Sequence, residues 1–240
     1  VTAPPLLSLK DVHAYYGEAH ILQGISLDVG EGEVVSLIGR NGAGKTTTLR
    51  SIMGLVPPRG GSITFAGQEL RDMPTHAIAR AGIAYVPEER RILPNLTVAE
   101  NLRLGRLGGE GARRNGDTVT EEVLGYFPRL RERLSQKGKS LSGGEQQMLA
   151  IARGLVASPR LMLVDEPTEG LSPLIVASLT DILREINRRG TAILLVEQIL
   201  EVALALSHRL YVMDQGRIQF EGTADALRAD PAVQQRFLGV

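Results

Sequence analysis

Apolar and polar positions along the chain alternate in two rhythms. Leu7-Ser8-Leu9-Lys10-Asp11-Val12 and Ile25-Ser26-Leu27-Asp28-Val29 repeat every second residue, as half-buried strands do. Gly17 and Glu18 punctuate this extended region, 6–29. Gly30-Glu31-Gly32-Glu33 turns the chain into the apolar run Val34-Val35-Ser36-Leu37-Ile38, a buried strand. Thr47–Met53 then predicts a helix, stopped by Pro57-Pro58-Arg59-Gly60-Gly61. Short strands follow over Ser62–Gly67 and Ile83–Val86, and then a charged loop from Pro87 to Pro94. Thr97 and Glu100 form a capping-box pattern for a helix to Leu104. Glycines and charges over 105–118 predict an exposed, mobile connection, and a helix is expected around Glu121–Phe127. Met148, Ile151, Ala152 and Leu155 share one face of a helix that Pro159 stops. Beyond it the rhythm alternates: strand 161–164, helix 174–187, strand 192–196, helix 199–206, strand 209–213. Strands alternating with crossover helices imply a parallel sheet, hence an α/β fold. Arg217–Phe220 and a helical tail, 224–238, close the pattern.

The turn after Val34–Ile38 carries the chemistry. Gly39-Arg40-Asn41-Gly42-Ala43-Gly44-Lys45-Thr46-Thr47 fits Gly, four residues, Gly, Lys, Ser or Thr, with a strand before it and a helix after it. Glycines at 39, 42 and 44 let backbone N–H groups of Asn41, Ala43 and their neighbours close on phosphate oxygens. The helix start at Thr46 and Thr47 adds partial positive charge. Lys45 is expected to reach the β- and γ-phosphates of a nucleoside triphosphate, and the Thr46 hydroxyl is placed for Mg²⁺.

Composition narrows the partners. Across 240 residues, 27 basic side chains balance 27 acidic ones, which argues against nucleic acid as a partner. There is no cysteine, so no disulfide framework and no thiolate metal site. No apolar run reaches the ~18–20 residues of a membrane span, and Val1-Thr2-Ala3-Pro4-Pro5 does not read as a secretory signal. Any membrane role is therefore expected to go through other subunits.

A second motif complements the first. Leu161-Met162-Leu163-Val164 is an apolar strand ending in Asp165 and Glu166. Beside a phosphate loop, Asp165 is placed for an outer-shell contact to Mg²⁺ and Glu166 to polarise the water that attacks the γ-phosphate. Leu141-Ser142-Gly143-Gly144-Glu145-Gln146-Gln147 also stands out: Ser142 and Glu145 form a capping box, and a helix start there could offer N–H groups to phosphate.

Taken with the phosphate loop and the 161–166 strand, that stretch resembles the signature motif of ATP-binding cassette proteins, from Leu6 to the tail. The resemblance implies cassettes that dimerise head to tail, with ATP between the phosphate loop of one and Ser142, Gly143 and Gly144 of the other. It implies that Tyr16, with Tyr15 as its neighbour and competitor, stacks on adenine. Val86-Pro87-Glu88 matches the loop linking nucleotide to the membrane partner, and Thr168-Glu169-Gly170-Leu171-Ser172-Pro173 the dimer-interface loop. Val196-Glu197-Gln198 matches the switch near the γ-phosphate.

Three positions depart from the common pattern: Glu88 for Gln, Ser172 for Asp and Gln198 for His. Gln198 can donate an amide N–H but cannot carry a proton. Glu88 can face Mg²⁺, its charge offset by Arg90 and Arg91. These departures, with Val-Pro-Glu-Glu-Arg-Arg, Glu-Gly-Leu-Ser-Pro-Leu-Ile-Val and Leu-Leu-Val-Glu-Gln, resemble the LivF-type ATPase subunit of bacterial branched-chain amino-acid importers. Subunits for urea or amide import are closely similar. A lipopolysaccharide-export ATPase shares Gly-Ala-Gly-Lys-Thr-Thr-Thr, but Glu88 and Gln198 argue against it. Soluble ATP switches of the same family usually carry tandem cassettes or long coiled-coil insertions, and neither is expected within these 240 residues.

The expected architecture has an antiparallel β lobe from about 6–32 and 61–84, an ATP-binding parallel-sheet core from 33–60 and 158–213, an inserted helical lobe at about 95–157, and a tail, 214–240. The resemblance implies ATP and Mg²⁺ as cofactors. It implies two transmembrane permeases, a second and different ATPase subunit, an external substrate-binding protein, and a place on the cytoplasmic face of the bacterial inner membrane.

Overall fold

The computed structural model describes residues 4–108 and 116–238. Two sheets organise it. In chain order the first half contains β1 (Leu7–Tyr16), β2 (Ala19–Val29), β3 (Val34–Ile38), α1 (Lys45–Ile52), β4 (Gly60–Phe65), β5 (Gln68–Glu69), α2 (Thr75–Arg80) and β6 (Ile83–Val86). Helices α3 (Val98–Gly105), α4 (Gly116–Tyr126), α5 (Pro128–Arg131) and α6 (Gly143–Leu155) follow. The last part contains β7 (Leu161–Asp165), α7 (Pro173–Arg188), β8 (Ala192–Glu197), α8 (Leu200–Leu206), β9 (Arg209–Asp214), β10 (Arg217–Gly222), α9 (Ala224–Arg228) and α10 (Pro231–Val233).

The smaller sheet is antiparallel, in the order β2-β1-β4-β5. The larger runs β10-β9-β3-β8-β7-β6 and is parallel except at the β10 edge. Its inner strands are apolar on both faces because both are covered. Leu161 and Leu163 of β7 pack toward the antiparallel sheet, while Met162 and Val164 pack toward α6 and α7. The order β3-β8-β7 sets the C-terminal ends of three strands side by side, where ligands bind in open α/β sheets.

Several boundaries differ from the sequence reading. Ile83–Val86 pairs in parallel with Leu161–Val164, so it belongs to the larger sheet and not to the antiparallel lobe. Part of the tail is also core: Gln215 and Gly216 take positive φ in a two-residue hairpin that folds β10 back onto β9. The last helix is interrupted, because Pro231 has no N–H and its predecessor Asp230 is non-helical. Helix α4 starts earlier than Glu121. Of the connection expected over 105–118, residues 109–115 lie outside the described residues. Gly105 is no loose linker, since a Cβ there would collide with the Arg153 carbonyl of α6. Among the described residues no helix is long and apolar enough to cross a membrane.

Candidate active site

The phosphate loop leaves β3 and enters α1 through a left-handed residue, Gly44, at φ 112°. A side chain there would meet Met213 Cε at 2.6 Å, so glycine is needed for both conformation and space. Lys45, the first residue of α1, is 4% exposed. Its Nζ donates to the Gly39 and Arg40 carbonyls at 2.9 and 3.2 Å and lies 3.3 Å from Glu166 Oε1. Glu166 follows β7 at φ 44°, a strained value for a non-glycine residue, held by its N–H bond to the Val196 carbonyl. Gln198, one residue past β8, donates its side-chain amide to Glu166 Oε2. Three adjacent strand ends thus deliver Lys45, Gln198 and Glu166 to one point.

Behind them Thr46 Oγ1 donates to Asp165 Oδ1 at 3.1 Å, and the Tyr85 hydroxyl donates to Oδ2 at 3.0 Å. Burial pushes the Asp165 carboxyl above its usual range, and these two donors pull it back. Burial beside that carboxylate in turn holds the Tyr85 phenol well above its usual value.

These groups open into a cavity of about 380 Å³ lined by Tyr16, Ile21, Asn41, Gly42, residues 44–47, Glu88, Glu166, Glu169 and Gln198. Tyr16 is 45% exposed at its mouth, its hydroxyl near Arg50 Nη1. Tyr15 lies elsewhere, stacked on His20 with the Arg59 guanidinium over its ring. Gly39 and Ala43 do not line the cavity. A Cβ at Gly39 would strike the Met213 carbonyl, and Ala43 is buried in the core. Their side-chain positions therefore shape the loop, and only their backbone is left to meet a phosphate.

Arg90 and Arg91 do not neutralise Glu88. Arg91 pairs with Glu89 at 3.5 Å, and Arg90 packs beside Gly143. Glu88 instead faces Glu169, and burial together with that carboxylate raises its pKa. Ser142, Gly143 and Gly144 lie apart from the cavity. Ser142 caps α6 through the capping box with Glu145, whose other oxygen pairs with Arg133 at 2.8 Å. Gly144 is pressed against Ile175, where a Cβ would come within 2.9 Å.

Sequence reasoning assigned no chemistry to Tyr85 or Arg50, and it placed Glu169 in the dimer-interface loop rather than on the cavity. The β-strand rhythm marked Tyr85 as part of a strand, and only the pairing of β6 with β7 shows that its hydroxyl meets Asp165.

The donor set suits a triphosphate with a divalent cation. Among the described residues that line the cavity, Lys45 is the one cation beside Glu88, Glu166 and Glu169, so an added polyphosphate needs further positive charge. Among the described residues no group of three or more His, Asp or Glu side chains is arranged to hold a metal by itself. Thr46 Oγ1 and Asp165 Oδ1, 3.1 Å apart, are the oxygen donors that would hold a Mg²⁺.

Known proteins agree with this geometry. The ABC transporter family model matches residues 22–169. The chain is 43% identical over 234 residues to the high-affinity branched-chain amino acid transport ATP-binding protein BraG of Pseudomonas aeruginosa, covering 98% of this chain and 100% of that one. It is 34% identical to the lipopolysaccharide export ATP-binding protein LptB of Escherichia coli, covering 97% of each. The ADP conformation of MJ1267, an ATP-binding cassette of an ABC transporter, superposes with a TM-score of 0.85 at 26% identity, over 97% of this chain and 98% of that one. The phosphate loop, the Asp165–Glu166 strand and full-length similarity lead to one family: the chain belongs to the ATP-binding subunits of ABC transporters, ATPases coupled to transport.

Proposed function

We propose that this chain hydrolyses Mg²⁺-ATP to drive an importer of branched-chain amino acids. It works at the cytoplasmic face of a bacterial inner membrane with two permease subunits, a second cassette ATPase and an external substrate-binding protein. The observation that carries the enzymatic reading is the meeting of Lys45, Glu166 and Gln198 in one cavity, with Asp165 held behind Thr46. The substrate reading is supported by the higher identity to BraG than to LptB over nearly the same length.

Tyr16 supports the adenine at the cavity mouth. Lys45 and the loop amides from Asn41 to Thr47 neutralise phosphoryl charge that grows in the transition state. Thr46 and Asp165 would hold Mg²⁺, with Glu88 facing it. When bound, the ion supplies charge neutralisation at the β- and γ-phosphates. Glu166 orients the attacking water and takes up its proton as the oxygen bonds to phosphorus and the bond to the ADP oxygen breaks. Gln198 fixes the Glu166 carboxylate and can turn its N–H to a phosphate oxygen. Ser142, Gly143 and Gly144 face the nucleotide of a partner cassette, consistent with their distance from this chain's own cavity. ATP then favours the closed pair because both cassettes touch its γ-phosphate, and hydrolysis removes that preference.

Purification of this chain from mildly solubilised native membranes tests the assembly. Two polytopic permeases, a distinct cassette ATPase and a binding protein that retains leucine, isoleucine or valine are expected. A binding protein selective for urea, or a lipopolysaccharide-handling partner, would overturn the amino-acid reading.

A further inference from the structure

Glu197 closes β8 and is 1% exposed. The five residues before it, Ala192 to Val196, are all buried and apolar. A residue kept there for packing alone would be apolar too, because burying a carboxylate away from water is strongly unfavourable. Its donors are all neutral. The Thr168 hydroxyl donates to Oε1 at 2.7 Å, and the N–H groups of Gln198 and Ile199 donate to Oε2 at 3.1 and 3.4 Å.

Each contact lies on a loop of the active site. Thr168, itself 2% exposed, stands two residues after Glu166 and one before Glu169, which lines the cavity. The N–H groups of Gln198 and Ile199 belong to the turn into α8, whose N-cap residue, Ile199, makes no side-chain cap. Glu197 therefore supplies the acceptor that this turn otherwise lacks. It joins the loop after β7 to the loop after β8, and Gln198, whose backbone it holds, donates to Glu166.

We infer that Glu197, gripped by Thr168, is a positioning residue that locks the Gln198 backbone so that its amide stays on Glu166. The inference rests on the reading of Glu166 and Gln198 as hydrolytic residues. A carboxylate suits the task because its two oxygens accept on both sides at once. An amide has one acceptor oxygen, and its NH₂ would face a donor on the other side. A valine at 168 keeps the shape of threonine but releases Oε1, and the carboxylate can then rotate away from the N–H groups of residues 198 and 199.

The test measures ATP hydrolysis and ATP binding by the complex purified through this chain, for Thr168→Val, Thr168→Ser, Glu197→Gln, Gln198→Ala and the double variant Thr168→Val/Gln198→Ala. Thr168→Val is expected to lower kcat about tenfold, the scale of a modest misplacement of a reacting group. KM for ATP should stay within about twofold, because the binding contacts lie elsewhere. Thr168→Ser should restore most of kcat, and Glu197→Gln should repeat the kcat loss. The double variant should be no slower than Gln198→Ala alone, since both changes break one chain of contacts. Parental kcat in Thr168→Val, or losses that multiply in the double variant, would overturn the inference while leaving Gln198 in its role. Parental kcat in Gln198→Ala would overturn the hydrolytic reading of that residue and this inference with it.

Discussion

Lys45 Nζ and Glu166 Oε1 stand 3.3 Å apart, and both side chains are more than nine-tenths buried. The cation of the phosphate loop is thus paired with the carboxylate that follows β7. A phosphate oxygen that binds Lys45 competes with that carboxylate. The pair ties the β3 loop to the β7 end, so in the proposed mechanism nucleotide binding and water activation share one ion.

Removing the cation leaves Glu166 buried against Gln198 alone. Lys45→Ala should abolish measurable ATP binding and lower stability by about 1–3 kcal/mol, below the usual figure for a buried pair because the cavity opens to solvent. Adding Glu166→Gln should recover most of that stability without recovering ATP binding. Chemical denaturation and nucleotide titration of the single and double variants check both statements.

The two neighbouring tyrosines should separate cleanly. Tyr16→Ala should weaken ATP binding about tenfold, the scale of one lost base–aromatic stack. Tyr15→Ala should leave ATP affinity within about twofold, because Tyr15 packs on His20 and Arg59 away from the cavity. It should instead lower the melting temperature. Equal losses of affinity in both variants would place adenine differently.

Tyr85→Phe removes one donor from Asp165 and keeps the ring. The loss of a hydrogen bond to a buried carboxylate is worth about 1–3 kcal/mol. Tyr85 lowers the Asp165 pKa, so its loss should raise that pKa further. The acid limb of the pH–activity profile should move to higher pH, and more Mg²⁺ should be needed for half-maximal hydrolysis. An unchanged profile and unchanged Mg²⁺ requirement would remove Tyr85 from any such role.

The sequence carried the chemistry further than the boundaries. That Lys45, Thr46, Asp165 and Glu166 come together was legible because a phosphate-loop pattern has fixed residue types at fixed spacing after a strand. The meeting of Gln198 with Glu166 was not, because it depends on β8 lying between β3 and β7, which no local pattern states. Gly39 and Ala43 fit the motif as ligand contacts, yet their surroundings, the Met213 carbonyl and the core, come from β9 and the opposing sheet. Glu88 was read beside its sequence neighbours Arg90 and Arg91, whereas folding sets it against Glu169.

Glu197 gives the protein a predictable pH slope. Burial raises its folded pKa above 4.5, the value it has when unfolded. Between those two values the folded chain binds more protons than the unfolded one, so stability falls as pH rises. Glu197→Gln should lose that component. The parental chain should therefore weaken relative to the variant as pH climbs from about 4.5 toward neutrality, as read by denaturation midpoints. A constant difference across that range would mean that Glu197 keeps an ordinary pKa in the fold.

The most direct test of the account is ATP turnover by the assembled complex carrying Glu166→Gln in this chain. Hydrolysis at this chain's site should fall by about 10²–10³-fold, as expected for loss of a positioned general base. ATP binding should persist or tighten, because Lys45 no longer has a competing carboxylate, and a closed cassette pair should accumulate. Turnover at the parental rate would contradict the role of Glu166 and the mechanism built on it.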